Sequence, residues 1–147
     1  MSNARHHLPH VQAAIACFER LTLADVEHLG RYFHAQARFK DPFNDVQGLA
    51  PIQHIFRHMF DQVAHPRFVV HQVVAEGRQC FLTWSFHFER RTGSRDAWVV
   101  RGATHWQFDG DGLIIDHRDY WDAAEELYEK LPLLGGLMRW LKRRANA

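Results

Sequence analysis

The chain has 147 residues, of which 46% are hydrophobic and 24% charged, and its formal net charge at pH 7 is +1. These values fit one globular domain and exclude a disordered or low-complexity chain. No run of about 18 apolar residues is present, which excludes a membrane-spanning helix.

Helical signals come first along the chain. Pro9 suits a first helical turn, and Val11, Ile15 and Phe18 follow at helical spacing. Thr22, with Asp25 three residues on, has the form of a capping box and predicts a second helix through Leu29 and Phe33. A short strand, Ala37 to Lys40, ends at Asp41-Pro42. Gly48-Leu-Ala-Pro51 opens the clearest helix, in which Ile52, Ile55, Phe56, Met59, Phe60 and Val63 form a single apolar face.

From Pro66 the period changes to two. Arg67 to Glu76 reads as a strand, with Gly77 at the turn. Cys80 to Arg90 is a long strand with Leu82, Trp84, Phe86 and Phe88 on one face. Thr92-Gly93-Ser94 is a hairpin loop. Ala97 to Phe108 follows, with Trp98, Val100, Gly102, Thr104, Trp106 and Phe108 on one face. Asp109-Gly110-Asp111-Gly112 is a strong hairpin signal. Leu113 to Trp121 is the last strand, and Asp122 N-caps a helix with Glu125 at the capping-box position. Helices followed by a run of antiparallel strands predict an α+β domain. A curved antiparallel sheet wrapped around the helices makes a cone whose hollow is the default ligand site. One domain over residues 1–147 is expected, with its core over about 10–128 and a basic amphipathic extension over 129–147.

The charge is unevenly spread. The extension holds Arg139, Lys142, Arg143 and Arg144 in its last eleven residues, which carry no acid; 14 basic side chains remain against 17 acidic ones. A body of that sign is a poor nucleic-acid binder. The double glycine Gly135-Gly136 weakens a continuous helix there. A short helix packed on its own domain or on a dimer mate is therefore expected, rather than membrane contact. The start, MSNARHHLPH, has no apolar stretch of the signal-peptide kind, so a cytoplasmic location is expected. Cys17 and Cys80 form no CxxC pair and read as buried thiols in a reducing compartment.

The last strand is the most informative. Alternation assigns Leu113, Ile115, His117, Asp119 and Trp121 inward, and Ile114, Asp116, Arg118 and Tyr120 outward. The opposite phase would bury Asp116 with Arg118, the costlier arrangement. His117 and Asp119 then share one face, about 6.6 Å apart along the strand. A carboxylate stabilises a neighbouring imidazolium, while apolar walls penalise a carboxylate; such opposed effects suit acid/base work. The plain alternative is a pair that only anchors the strand end. Asp41-Pro42 is ordinary turn chemistry, yet Phe39 and Phe43 would bracket the Asp41 carboxylate with apolar surface and make it a usable base. His54 and His58 have metal-compatible spacing, but they lack a neighbouring glutamate and fall off the apolar face; solvated histidines and no metal are expected.

The stretch Ala37-Arg-Phe-Lys-Asp-Pro-Phe-Asn-Asp-Val-Gln-Gly48 and the helix after it resemble the ketosteroid isomerase and SnoaL-like branch of the nuclear transport factor two-like superfamily. The Phe108-Asp-Gly-Asp-Gly-Leu-Ile hairpin and the Tyr120-Trp121 strand end fit the same pattern. The resemblance implies a cone-shaped α+β barrel, usually a homodimer through its outer sheet face. Matched by motif, the family's base aspartate falls on Asp41, its oxyanion tyrosine on Cys17 and its protonated aspartate on Thr104. A thiol and a hydroxyl are poorer donors to a dienolate than the family's pair. The family's tryptophan near the end of the last strand falls on Trp121, which makes His117 and Asp119 pocket-facing additions of this protein. SnoaL-like cyclases similarly use a pocket aspartate and histidine. The Arg-x-Asp run of limonene epoxide hydrolase is not matched, because Arg101-Gly-Ala103 lacks the aspartate.

Two functions are expected from this reading. The first is a cofactor-free isomerase, cyclase or dehydratase acting on a small, mostly apolar carbonyl compound. Asp41 or Asp119 would take the proton α to the carbonyl, and His117 and Thr104 would hydrogen-bond the enolate. Cys17, Phe56, Trp84, Phe86, Phe88, Trp106 and Trp121 would line the cavity. The second is a non-catalytic binder of a small apolar ligand, or a dimeric interaction module, on the same fold. Solvent access separates them: polar groups sealed from the hollow favour the binder, and groups open to it favour the enzyme.

Overall fold

The computed structural model describes residues 8–91, 96–127 and 132–145. Helix α1 (Pro9–Glu19) starts on its proline, which has no amide to leave unpaired in the first turn. It buries Val11, Ala14 and Phe18. The capping box at Thr22 forms in both directions: Thr22 N donates to Asp25 Oδ2 at 2.8 Å, and Asp25 N to Thr22 Oγ1 at 3.3 Å. The helix it opens, α2, covers only Leu23–Val26, followed by a 3₁₀ turn at Leu29–Arg31. The predicted continuation through Phe33 is overturned. Ile114 N donates to Tyr32 O, and Phe33 pairs with Ile114, so strand pairing with a fully buried ring wins over local helical preference.

Strands β1 (Phe33–Lys40), β2 (Asp45–Gln47), β3 (Val63–Glu76), β4 (Gln79–Arg90), β5 (Ala97–Phe108) and β6 (Ile114–Tyr120) form one curved, unclosed sheet. Its order is β2-β1-β6-β5-β4-β3, antiparallel throughout except where β1 runs parallel to β6. The short β2, not foreseen in the sequence, is held by Arg38, whose guanidinium grips Asp45 at 2.9 and 3.0 Å. Helix α3 (Leu49–Gln62) caps on Gly48, whose φ of 106° favours glycine, and buries Ile52 and Phe56. Val63, expected on that helix, instead starts β3. Asp122 caps α4 (Ala123–Glu126) by accepting from Ala124 N and Glu125 N. The loop Thr92-Gly93-Ser94 lies outside the described residues.

Two departures bear on function. Phe108 pairs with Ile114 and Gln107 with Asp116, so Ile115 is an extra residue in β6. This bulge reverses the expected phase at one end of the strand: Ile114 is fully buried and Ile115 exposed. Beyond the bulge the expected phase holds, with His117 and Asp119 inward and Arg118 outward. The second departure is α5 (Pro132–Ala145), which runs unbroken through Gly135-Gly136 and leaves Leu137, Trp140 and Leu141 exposed. The helix is longer than the short one expected there, because two glycines weaken a helix without ending it.

Candidate functional site

The inner face of the sheet carries the site. Strand register sets Thr104 opposite Asp119, Trp106 opposite His117 and Trp84 opposite Gly102. These cross-strand neighbours are joined by one line of hydrogen bonds. Trp84 Nε1 donates to Thr104 Oγ1 at 2.7 Å, and Thr104 Oγ1 donates to Asp119 Oδ1 at 2.6 Å. His117 Nε2 meets the same Oδ1 at 2.8 Å, and Trp106 Nε1 donates to His117 Nδ1 at 2.9 Å.

The donors settle where the protons sit. An indole N–H can only donate, so His117 Nδ1 must accept and carries no proton. The imidazole is then neutral with its proton on Nε2, which donates to Asp119. A second proton on His117 would place N–H against N–H. The ring is buried, stacked on Phe39 at 4.4 Å and 20°, with Phe18 and Phe33 also against it. Thr104 is equally committed, since its oxygen accepts from Trp84 and its proton goes to Asp119. Gly102 makes this possible. A Cβ there would lie 2.6 Å from the Trp84 ring, so only glycine lets the indole cross β5 to reach Thr104.

Asp119 is different. Oδ1 accepts from two side chains, while Oδ2 accepts from no described residue. Its side chain is 17% exposed and borders a cavity of about 560 Å³. The wall is aromatic: Phe56, Trp84, Phe86, Phe88 and Trp121 line it, with Val100 and Phe39. A void of about 30 Å³ lies deeper, bordered by Thr104, Trp106 and His117 and again by Asp119. Trp106 therefore lines the inner void rather than the main cavity.

Asp41 borders the main cavity too, but its carboxylate is bound up in its own turn. Oδ1 accepts from Phe43 N at 2.8 Å, Asn44 N at 2.6 Å and Asn44 Nδ2 at 3.0 Å; Oδ2 takes a further contact from Asn44 Nδ2. Phe39 is buried beneath it, whereas Phe43 is exposed and lies edge-on to Trp121. Cys17 borders neither the main cavity nor the inner void. It lies in a separate cleft of about 300 Å³ with Arg20, Asp25, His28 and Tyr32, because the α1 stripe that enters the core runs through Ala14 and Phe18. Burial, with Asp25 nearby, pushes its thiol up to about 11.

Alternation along one strand does not reveal the two indole donors or the α3 wall. The donors were within reach of hairpin register, which pairs β5 with β6. The wall comes from Ile55, His58, Met59 and Gln62, next to the buried stripe of α3; His58 is exposed as expected yet sits at the cavity. Among the described residues no three His, Cys, Asp or Glu side chains cluster as metal ligands.

The sequence profile of the SnoaL-like domain family matches residues 11–117. No curated protein matches the chain. Several solved structures do. A protein with a ketosteroid isomerase-like fold from Catenulispora acidiphila, solved with trimethylamine, aligns at TM-score 0.69 and 16% identity, covering 81% of this chain and 89% of its own. A putative SnoaL-like polyketide cyclase from Shewanella putrefaciens aligns at 0.68 and 17%, covering 82% and 98%. A nuclear transport factor two-like protein of unknown function from Burkholderia pseudomallei aligns at 0.67 and 16%, covering 79% and 90%. At these identities the likeness carries the fold alone.

Proposed function

The chain belongs to the SnoaL-like domain family, and from that premise we propose a cofactor-free acid–base catalyst that isomerises, cyclises or dehydrates a small, mostly apolar carbonyl compound. The observation that carries the proposal is Asp119: one carboxylate oxygen fixed by two donors, the other bonded to no described residue, at the edge of an aromatic cavity. A base needs a fixed position and a free lone pair. Asp119 has both. Its Oδ2 takes the proton α to the carbonyl and returns it at another atom, so no net proton is gained or lost.

In this reading His117 and Thr104 support the base and do not hold the enolate. Their protons already go to Asp119, and His117 cannot release Nε2–H without becoming an imidazolate. They position the base. The enolate oxygen is assigned instead to the indole N–H of Trp121, which lines the cavity and donates to no described residue. Asp41 holds the turn beside it.

The outer sheet face fits a homodimer contact, because Val74, Phe81 and Tyr120 are at least half exposed there. One observation favours a pure ligand binder: His117 and Thr104 are sealed from the cavity and satisfied by their partners. The experiment that decides starts from the small molecules that copurify with the protein, identified by mass spectrometry. The recovered carbonyl compound is returned to protein in heavy water. The enzyme reading expects deuterium at the α carbon with the parent chain and loss of that exchange in Asp119→Asn. Equal exchange in both, or none in the parent, would leave the binder.

A further inference from the structure

We propose that helix α5 is a docking element for the surface of an anionic phospholipid bilayer. Leu137, Trp140 and Leu141 sit at i, i+3 and i+4, so they share one helix face, and they are 51%, 44% and 46% exposed. Arg139, Lys142 and Arg143 occupy the opposite arc, and Arg144 lies over the Trp140 ring at 5.0 Å. The helix holds four cations and no acid, while the rest of the chain has 14 basic against 17 acidic side chains.

That charge pattern selects the occupant. An apolar partner surface would account for the leucines and the tryptophan but gives no use for four cations. An anionic bilayer takes both, with leucines in the acyl boundary, the tryptophan at headgroup level and cations on phosphates. No helix among the described residues is long and apolar enough to cross a membrane, so the contact is interfacial. The proposal rests on α5 alone and is independent of the role given to Asp119.

The full chain is sedimented with large vesicles of phosphatidylcholine containing about 30 mol% phosphatidylglycerol, and with vesicles of phosphatidylcholine alone. Two double variants, Trp140→Ser with Leu141→Ser and Lys142→Glu with Arg143→Glu, are run beside it. All three chains should melt alike, because Trp140, Leu141, Lys142 and Arg143 are exposed. The parent should sediment with the anionic vesicles only and be released by high salt. Each removed cation should weaken partition about fivefold, and each reversed one more. Loss of both leucine and tryptophan anchors should leave the protein in the supernatant. A parent chain that ignores anionic vesicles would overturn the proposal, as would variants that bind as well as the parent. If instead the serine variant splits a dimer while the parent ignores vesicles, the face belongs to a second copy.

Discussion

Asp41 and Asp119 border the same cavity, one in the turn that follows β1 and the other on the neighbouring strand β6, and yet they are chemically unlike. The turn at 41–44 spends its carboxylate on itself: two backbone amides and one side-chain amide converge on it. The strand end at 117–119 loads its donors onto a single oxygen and leaves the other open. In the proposed mechanism, what separates an anchor from a base is the count of unspent lone pairs, not closeness to a pocket or to apolar rings.

The comparison breaks first at Asp119. Asp119→Asn keeps an acceptor for His117 and Thr104 but removes the basic oxygen, so α-proton exchange should fall by about 10²–10⁴ while the melting temperature holds. Asp41→Ala should do the reverse, with most exchange kept and stability in urea lowered by about 1–3 kcal/mol as the turn loses its acceptor. A chain in which Asp41→Ala abolishes exchange and Asp119→Asn does not would exchange the two roles.

The donors behind Asp119 come next. Thr104→Val strands the Trp84 N–H and removes one donor from Oδ1, and should cost about 1–3 kcal/mol; Thr104→Ser should restore both stability and exchange. Gly102→Ala drives a methyl into the Trp84 ring and should cost a similar 1–3 kcal/mol, about the usual penalty of overpacking. Its sharper readout is the indole: Trp84 Nε1 should gain faster hydrogen exchange while the Trp106 N–H stays protected.

The smallest effect concerns the thiols. Burial, aided at Cys17 by Asp25, raises Cys17 and Cys80 from an ordinary value near 9 to about 11. Above about pH 9 the unfolded chain sheds thiol protons that the native chain keeps, so the unfolded state gains. The stabilisation is whole below that pH and drains as pH rises towards 11. Urea midpoints at about pH 8 and about pH 10 measure it, and Cys80→Ala should flatten the difference.

The fold was largely legible because its signals are local: alternation in β4 and β5, the Asp-Gly hairpin and the caps at Thr22 and Asp122. What escaped depends on contacts distant in sequence. Phe33 reads as helical until Ile114 arrives beside it. Ile115 reads as buried because alternation cannot register a bulge. The pair His117 and Asp119 was legible from the phase of one strand, whereas their roles were not, since those are set by Trp84, Thr104 and Trp106 on two other strands. Cys17 failed for a simpler reason: a motif match placed it in the pocket, while the face of α1 that enters the core passes it by.

The direct test of the account is the proton on His117. Long-range nitrogen–proton correlation spectra of the labelled chain, with the resonance assigned by its loss in His117→Gln, report which ring nitrogen is protonated. A neutral ring is expected, with the proton on Nε2 and a bare Nδ1, becoming mobile only in Trp106→Phe. A doubly protonated ring, or a proton on Nδ1 in the parent chain, would mean that Trp106 does not hold it and that Asp119 is not the fixed base described.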